Sequence, residues 1–304
     1  MCAGAVLLGC LDASGGQSDV ELFANAGSTM LSSDWLHTYA HSEIQASPLE
    51  LGLAAGARSV GGGEVGFAII LDLVCTAAMA ATAVVLLGRR ATGLAAFGVG
   101  AFAFWLPGGG YLGHPAELLI AVLWMLAARE AARGRPALAG ALVGLSACLE
   151  LWGVLGVTVL ALAPSLRRCA SGVALAAAIP VAVLLPFAVG GDFHMFDFAW
   201  IISSGLPELL LGSGRAFTWP LRLVEGALIV AVGAGAARAV RGHSDGVWLV
   251  PGVTALARLP LDPVTHAYYW DTALVIGLVA AVQVVRRRRE LARRLAPRLA
   301  AAGG

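Results

Sequence analysis

The chain has no lysine and a single asparagine, and only 13% of its 304 residues are charged. A soluble domain carries roughly 25% charged residues, so this composition excludes an ordinary soluble globular protein. All 20 basic residues are arginine, which is typical of a GC-rich bacterial genome. The five cysteines form no C-x-x-C pair, which favours buried thiols over a zinc site or a disulfide framework.

Long apolar runs replace the missing charge. Hydrophobic residues make up 59% of the chain and the mean hydropathy is +0.81. Several runs reach the roughly 20 residues that a helix needs to cross about 30 Å of hydrocarbon, whereas barrel strands would alternate over about 10 residues. The sequence therefore predicts an all-α, polytopic transmembrane helix bundle of about 8–10 helices, some short or broken, because helices satisfy their own backbone. It forms one domain over residues 1–304, and its runs are 66–87, 91–106, 115–128, 136–163, 169–189, 219–240, 247–257 and 268–285.

The apolar start, residues 2–11, has the length of a signal-peptide core but lacks a basic segment before it. We interpret it as a first membrane helix, although about ten residues are too few to span a bilayer unaided. Residues 13–63 then form the first extracytoplasmic loop, which we expect to bear short interfacial helices.

The arginines occur in clusters, and arginine-rich loops of membrane proteins lie on the cytoplasmic side. The clusters share that side only if run 136–163 is a hairpin of two short helices with its tip at residues 150–153; one long helix would place the later clusters outside. The hairpin puts both chain ends, including the Arg-rich tail 286–304, in the cytoplasm of a bacterial cell. The clusters are Arg89 and Arg90; Arg129, Arg133 and Arg135; Arg167 and Arg168; Arg238 and Arg241; and the tail.

In this topology the titratable groups gather on the outer side. Five of the six histidines lie there, with many of the carboxylates and several aromatic residues. A functional surface is one interpretation, and ordinary polar loops with interfacial aromatic anchors are the other. The five histidines are His37, His41, His114, His194 and His266.

The polar segment behind the first apolar run carries two candidate carboxylates. Asp19 follows that run directly. Asp34, His37 and His41 have the i, i+3, i+7 spacing of one helix face. Such a stripe could bind a divalent cation, but a solvated helix face explains it as well, so the sequence predicts no metal and no other cofactor. Nothing in the chain suggests a nucleic acid or a nucleotide.

Three segments carry a family resemblance. The stretch from Asp19 through Phe23, Ala26-Gly27 and Tyr39 to Pro48-Leu49 resembles the first outer loop of the GT-C superfamily of membrane glycosyltransferases. Two further patterns resemble the polyprenol-phosphate-mannose-dependent enzymes of glycosyltransferase family 87. They are Gly113-His114-Pro115 before a membrane helix, with Gly140-x-x-x-Gly144-Leu145 beyond it, and Asp262-Pro263-x-x-His266-x-Tyr268-Tyr269-Trp270 opening the last helix.

The resemblance implies transfer of a sugar such as mannose from a polyprenyl-phosphate donor to a lipid or cell-envelope glycan acceptor on the outer face. Asp19 would be the general base, although an aspartate here could equally N-cap a short helix. His266 would act with it, and Arg215 and Arg222 would hold the phosphate, unless they form ordinary ion pairs. The remaining substrate-binding candidates are Asp34, Trp35, Tyr39, His114, Glu150, His194, Tyr269 and Trp270.

Glu150 departs from the family pattern, which carries a lysine at this place. The exchange replaces a phosphate ligand with a carboxylate, and it keeps two rival hypotheses open. One is a polytopic transporter that couples transport to buried carboxylates. The other is a catalytically degenerate member of the family that acts as a partner protein.

Overall fold

The computed structural model describes residues 19–87, 98, 114–241, 246–266 and 268–302, with side chains placed as far as Val285. Within these ranges the chain is almost entirely helical, so the predicted all-α class is confirmed. The predictions for residues 1–18, for Arg89 and Arg90, for all of run 91–106 except residue 98, and for Gly113 lie outside the described residues.

Ten α-helices occur in the described part of the chain. Three of the first five begin at a proline, whose fixed φ suits the first helical position. Two-residue strands β1 (Trp200–Ile201) and β2 (Ala216–Phe217) pair antiparallel, and 3-10 helices cover Trp35–His37, Leu151–Leu162 and Met195–Asp197. The α-helices are α1 (Asp19–Met30), α2 (Pro48–Gly61), α3 (Glu64–Leu87), α4 (Pro115–Ala132), α5 (Pro136–Ala147), α6 (Leu166–Gly190), α7 (Gly205–Leu211), α8 (Trp219–Ala239), α9 (Leu249–Leu261) and α10 (Tyr269–Ala302).

Three helices, α3, α6 and α8, are long and apolar enough to cross a membrane. Shorter apolar helices surround them, namely α5, the 3-10 helix Leu151–Leu162, α9 and the first part of α10. α10 continues without a break from this apolar part into the arginine-rich segment, so the predicted tail 286–304 is helical as far as Ala302.

The predicted hairpin in run 136–163 is confirmed. α5 ends at Ala147, the chain turns, and the 3-10 helix Leu151–Leu162 returns alongside it. Pro136 and Leu160, from the two arms, both lie against Gly172 of α6. A Cβ at Gly140 would overlap with the carbonyl oxygen of Gly172, so the absence of a side chain lets α5 and α6 approach backbone to backbone.

The hairpin brings three arginine clusters to one end of the bundle. The backbone at Gly134, between Arg133 and Arg135, lies beside the Arg168 guanidinium, and Arg241 donates a hydrogen bond to the carbonyl of Ala161. We call this side the arginine end. α4 runs from it to His114, and α5 leads from it to Glu150. We call the opposite side the carboxylate end; its acidic residues include Asp19, Glu50, Glu117, Glu150, Asp192, Glu225 and Asp262.

The segment predicted as the first outer loop, 13–63, is a packed part of the fold where it is described. α1 and α2 cross closely, because a Cβ at Gly27 would overlap with the carbonyl of Leu51. Phe23, Leu51 and Tyr39 share a buried cluster with Phe67 of α3. The positions of Asp19 and Glu50 are therefore set by a hydrophobic core rather than by a free loop.

Candidate functional site

A continuous hydrogen-bonded chain of side chains crosses the carboxylate end. One ring nitrogen of His114, Nε2, lies 3.2 Å from Oδ2 of Asp19, and the other, Nδ1, lies 2.8 Å from Oε1 of Glu150. The Asp19 side chain is 66% exposed, whereas those of His114 and Glu150 are 12% and 16% exposed. The chain thus leads from an accessible carboxylate through an imidazole to a largely buried carboxylate.

Local sequence explains how Asp19 and His114 meet. Asp19 is the first described residue of α1, and from this helix start its carboxylate reaches His114. His114 precedes the proline that opens α4, and a residue before proline is steered away from helical geometry. Phe23, one turn after Asp19, packs edge-on against the His114 ring at 5.1 Å between centroids, which fixes the orientation of the imidazole.

Main-chain pairing places Glu150. Ala46 and Glu150 form an isolated antiparallel bridge. The amide of Ser47 donates to the carbonyl of Leu149 at 2.8 Å, and the amide of Leu49 donates to the carbonyl of Cys148 at 2.9 Å. The start of α2 is thereby joined to the tip of the hairpin.

The charges of this chain stabilise one another. The hydrogen bond from His114 holds the pKa of Asp19 below its ordinary value, against the opposing effect of partial burial. Burial alone would lower the pKa of His114, but the hydrogen bonds to Asp19 and Glu150 raise it well above the usual value. Burial opposes ionisation of Glu150, yet its hydrogen bond to His114 and the charge of that ring outweigh this and lower its pKa. His114 is therefore an imidazolium that donates to two carboxylates.

Glu50 adds a third carboxylate, which the sequence analysis missed. Its side chain is fully buried on α2, and a ligand oxygen of Glu50, a ring nitrogen of His114 and an oxygen of Glu150 all lie within 4.8 Å of one another. Burial, and next the nearby charge of Glu150, raise the pKa of Glu50 well above its ordinary value. A glutamate in the first turn of an apolar helix looks like a solvated helix start in a sequence, so no local pattern identifies it.

Aromatic rings cover the exposed side of the chain. Tyr268 stacks on His114, with ring centroids 4.7 Å apart. The same Tyr268 ring also stacks with His266, with centroids 5.2 Å apart. The charge of His266 also contributes to lowering the pKa of Asp19. Trp270 is 47% exposed next to this stack. Asp19, His114, Glu150, His266 and Tyr269 are thus brought together, although their chemical roles stay predictions.

A second ionic group lies beside the first. Arg258, almost fully buried, donates to Oε1 of Glu117 at 2.7 Å and lies 3.3 Å from Oδ2 of Asp262. The other oxygen of Glu117 accepts from the Thr272 hydroxyl at 2.7 Å. The Arg258 guanidinium lies over the rings of Trp152 and Tyr269, at 3.8 and 4.3 Å from their centroids. Because Trp152 also donates to Glu150, the two groups share a wall.

Arg258 was not predicted as a site residue. It belongs to none of the arginine clusters, and its partner Glu117 is 141 residues away in the chain. The one signal that could have found the pair is charge in apolar surroundings: Glu117 lies within the apolar run 115–128, and Arg258 directly follows the run 247–257.

The two arginines predicted to hold phosphate differ in their ion pairing and exposure. Arg222 is committed to ion pairs with Glu225 at 2.9 Å and Asp262 at 3.2 Å, and it lies over the Trp200 ring. The ion-pair alternative therefore describes Arg222. Arg215 is exposed in the loop before β2 and remains available to an anion.

Four other predicted substrate-binding residues lie apart from the Asp19 chain. Tyr39 is fully buried and donates to the carbonyl of Ala46, so it supports the core instead of lining a surface. Trp35 packs against Phe187 of α6, and His194 pairs with Asp197. Asp34 is exposed before the short 3-10 helix.

The single helix face suggested by the spacing of Asp34, His37 and His41 does not form. The helix there covers only Trp35–His37 and the chain turns away after it, so the i, i+3, i+7 spacing never shares one face. His37 instead pairs with Asp192 at 2.9 Å.

The arrangement suits proton transfer at a surface. Asp19 is accessible and ionised, and the buried imidazolium and Glu150 behind it fix its orientation and keep it charged. A group of this kind can take a proton from a hydroxyl positioned within hydrogen-bond reach. Comparison with family models, curated proteins and solved structures gives no match to this chain.

Proposed function

We propose that this protein is an integral membrane glycosyltransferase. It transfers a sugar such as mannose from a polyprenyl phosphate to a lipid or cell-envelope glycan acceptor, and Asp19 is its general base. The observation that carries the proposal is the exposed Asp19 carboxylate held by the buried His114 and Glu150. The resemblance of the segments around Asp19, His114 and His266 to the GT-C enzymes supports the same assignment.

The separation of charge between the two ends supports a polytopic arrangement in a bacterial cell membrane. α3, α6 and α8 have the length to span it, and the shorter apolar helices complete the bundle among them. The arginine end faces the cytoplasm by the positive-inside tendency. The carboxylate end then lies on the outer face at the depth of the lipid headgroups, where a polyprenyl-linked phosphate is found.

The reaction is a single displacement. Asp19 accepts the proton of an acceptor hydroxyl, the acceptor oxygen bonds to the anomeric carbon, and the bond from that carbon to the phosphate oxygen breaks with inversion. The polyprenyl phosphate leaves with the bonding electrons. Arg215, exposed at this end, supplies positive charge toward the phosphate. His266, also exposed, offers a ring N–H donor to it, and Trp270 offers a ring against which a sugar can pack.

The test is transfer from radiolabelled polyprenyl-phosphate sugars by purified protein in lipid nanodiscs. Asp19→Asn keeps the shape and hydrogen-bonding atoms but removes the base, so we expect a loss of about 10²–10⁴-fold in rate. Asp192→Asn is the matched control, because that carboxylate is also exposed and histidine-paired at the same end; it should keep the wild-type rate. Full activity of a folded Asp19→Asn protein would refute the assignment.

A transporter is the second candidate, and the fully buried carboxylates favour it. Glu50, Glu117 and Asp72 are each shielded from solvent, and ionisable groups among membrane helices often carry coupling ions. If wild-type protein consumes no donor but proteoliposomes show solute uptake driven by an ion gradient, the transporter replaces the transferase. If neither activity occurs in folded protein, the degenerate partner protein is the remaining hypothesis.

A further inference from the structure

The hydrogen bonds that link Asp19, His114 and Glu150 do not include the carboxylate of Glu50. Its carboxylate is fully buried and faces the main-chain amide of Ala116 at the start of α4. Neither oxygen has a partner with full hydrogen-bond geometry among the residues that the structure describes. One turn earlier, the buried Ser47 hydroxyl is also unpaired within the described residues and does not cap α2. Buried polar groups are almost always satisfied, so a buried carboxylate whose only donor among the described residues is the weakly aligned Ala116 amide, and which lies beside two other ionisable groups, points to a ligand.

The three groups have the spacing of a coordination site. One ligand atom from each of Glu50, His114 and Glu150 lies within 4.8 Å of the other two. Ligand atoms bound at 2.0–2.2 Å lie at most about 4.4 Å apart across an ion. A contraction of a few tenths of an ångström would therefore place all three on one cation. The His114 to Glu150 distance of 2.8 Å already suits two neighbouring ligands.

A divalent cation matches the charge of these groups. The carboxylates of Glu50, Glu150 and Asp19 face a single imidazole. The N-terminus of α4 adds only about half a positive charge. A divalent cation between Glu50 and Glu150, with neutral His114 as third ligand, would make the buried set electrically neutral.

We propose that Glu50, His114 and Glu150 bind one divalent transition-metal ion. His114 coordinates through Nδ1, and its Nε2–H continues to donate to Asp19. A carboxylate that accepts from the far nitrogen of a metal-bound histidine orients the ring and raises its basicity. Binding releases the proton that the imidazolium carries on Nδ1. Asp19 is then a positioning residue for the metal site.

The ligand set selects the class of ion. Carboxylates suit Mg²⁺, Ca²⁺ and Mn²⁺, while imidazole suits Zn²⁺ and the later transition metals. Two carboxylates with one imidazole therefore favour Mn²⁺ and Zn²⁺ over Mg²⁺ and Ca²⁺. The remaining coordination positions would be open to water or to a phosphate oxygen.

Metal binding can be measured directly on the wild-type protein. The full chain, purified without a polyhistidine tag in phosphatidylcholine nanodiscs, is titrated with Mn²⁺ and with Zn²⁺ by calorimetry. We expect one ion per chain above the level of empty nanodiscs. Spin-echo modulation of bound Mn²⁺ should show coupling to one directly bound nitrogen. Binding without nitrogen coupling, or no binding above empty nanodiscs, would overturn the proposal.

Variants test the assignment of ligands. Glu50→Gln and His114→Gln should each weaken Mn²⁺ binding by more than about 100-fold, beyond what loss of an outer hydrogen-bond partner causes. Asp19→Asn should weaken it by about 10-fold. Glu43→Gln, at an exposed carboxylate of the same segment, should bind as wild type does. Wild-type affinity in a folded Glu50→Gln protein, verified by circular dichroism, would contradict the site.

This inference stands apart from the glycosyltransferase assignment. The titrations contain no donor and no acceptor, so metal binding can succeed where transfer fails. In the converse outcome, sugar transfer persists in EDTA while Mn²⁺ binds the protein in the absence of the chelator. That result would show that the metal site exists but is not needed for transfer.

Discussion

The two ends of the bundle handle buried charge in opposite ways. At the arginine end, the buried carboxylate of Glu130 faces three arginines, at 3.4 Å from Arg133, 3.3 Å from Arg135 and 3.8 Å from Arg129. At the carboxylate end, the buried guanidinium of Arg258 lies between two buried carboxylates, Glu117 and Asp262, and Asp262 is shared with Arg222. Positive groups are in excess where they are exposed, and negative groups are in excess where they are buried. The exposed excess of arginines at one end bears on the orientation of the protein in the membrane. The buried excess of carboxylates at the other end indicates a functional site.

The largest expected difference between the two ends is the side of the membrane that each faces, because a cysteine at either end should be labelled from outside fully or not at all. In a protein whose five native cysteines are replaced, one new cysteine is introduced at Ser213, at the carboxylate end, or at Ser165, at the arginine end; both positions are exposed. A membrane-impermeant maleimide added to intact spheroplasts should label Ser213→Cys and leave Ser165→Cys unlabelled. Both should react once the membrane is opened. The reverse pattern would place the arginine end outside.

Removing Arg258 should have the largest effect on stability. Arg258→Met leaves Glu117 buried without its cation and removes one of the two arginines that pair with Asp262, and breaking a buried pair from one side costs about 3–5 kcal/mol. Thermal unfolding in nanodiscs measures the loss. Arg215→Met is the control, since it removes an exposed arginine of the same end and should change stability little. Equal stability of the two variants would show that the Arg258 pair is not buried as described.

Packing between α5 and α6 gives the next effect. A Cβ at Gly140 would overlap with the backbone of Gly172, so Gly140→Ala should force the helices apart and lose about 1–3 kcal/mol. Gly235→Ala is the matched change, in α8, where a Cβ meets nothing within 4 Å. It should instead gain up to about 1 kcal/mol of helix propensity. Opposite signs in the two melting temperatures are expected, and equal signs would contradict the close approach.

The arginine end should give the smallest effect. Arg135→Gln removes one of three cations around Glu130, and its side chain is 66% exposed. Exposed ion pairs contribute about 0–1 kcal/mol, and the two remaining arginines keep Glu130 paired. The change in unfolding temperature should stay well below that of Arg258→Met. A loss as large as for Arg258→Met would remove the contrast between the ends.

The sequence predicted the helices well because apolar length and arginine position are local signals. The hairpin of run 136–163 followed from where arginines can lie, and the structure has it. The stripe of Asp34, His37 and His41 failed because spacing alone does not make a helix, and the chain there forms only a three-residue 3-10 turn. Helical spacing of residues predicts a shared face only where the segment is in fact a helix.

The site was predicted in part, for a physical reason. Asp19, His114, Glu150 and His266 carry polar chemistry next to apolar runs and were found. Glu50 and Arg258 gain their importance from partners far along the chain, at His114 and Glu117. Such contacts depend on how helices cross, which no local pattern specifies. Glu150, noted in the sequence only as a departure from a family lysine, is the hydrogen-bonded partner of His114.

The short backbone pairing between residues 46–49 and 148–150 couples the two halves of this site mechanically. Because Ser47 and Leu49 donate to carbonyls at the hairpin tip, these two bonds hold together the main chains that carry Glu50 and Glu150. Any separation of α2 from the hairpin tip must first break them. The exchange rates of the Ser47 and Leu49 amides with deuterium would therefore time the opening of the site itself.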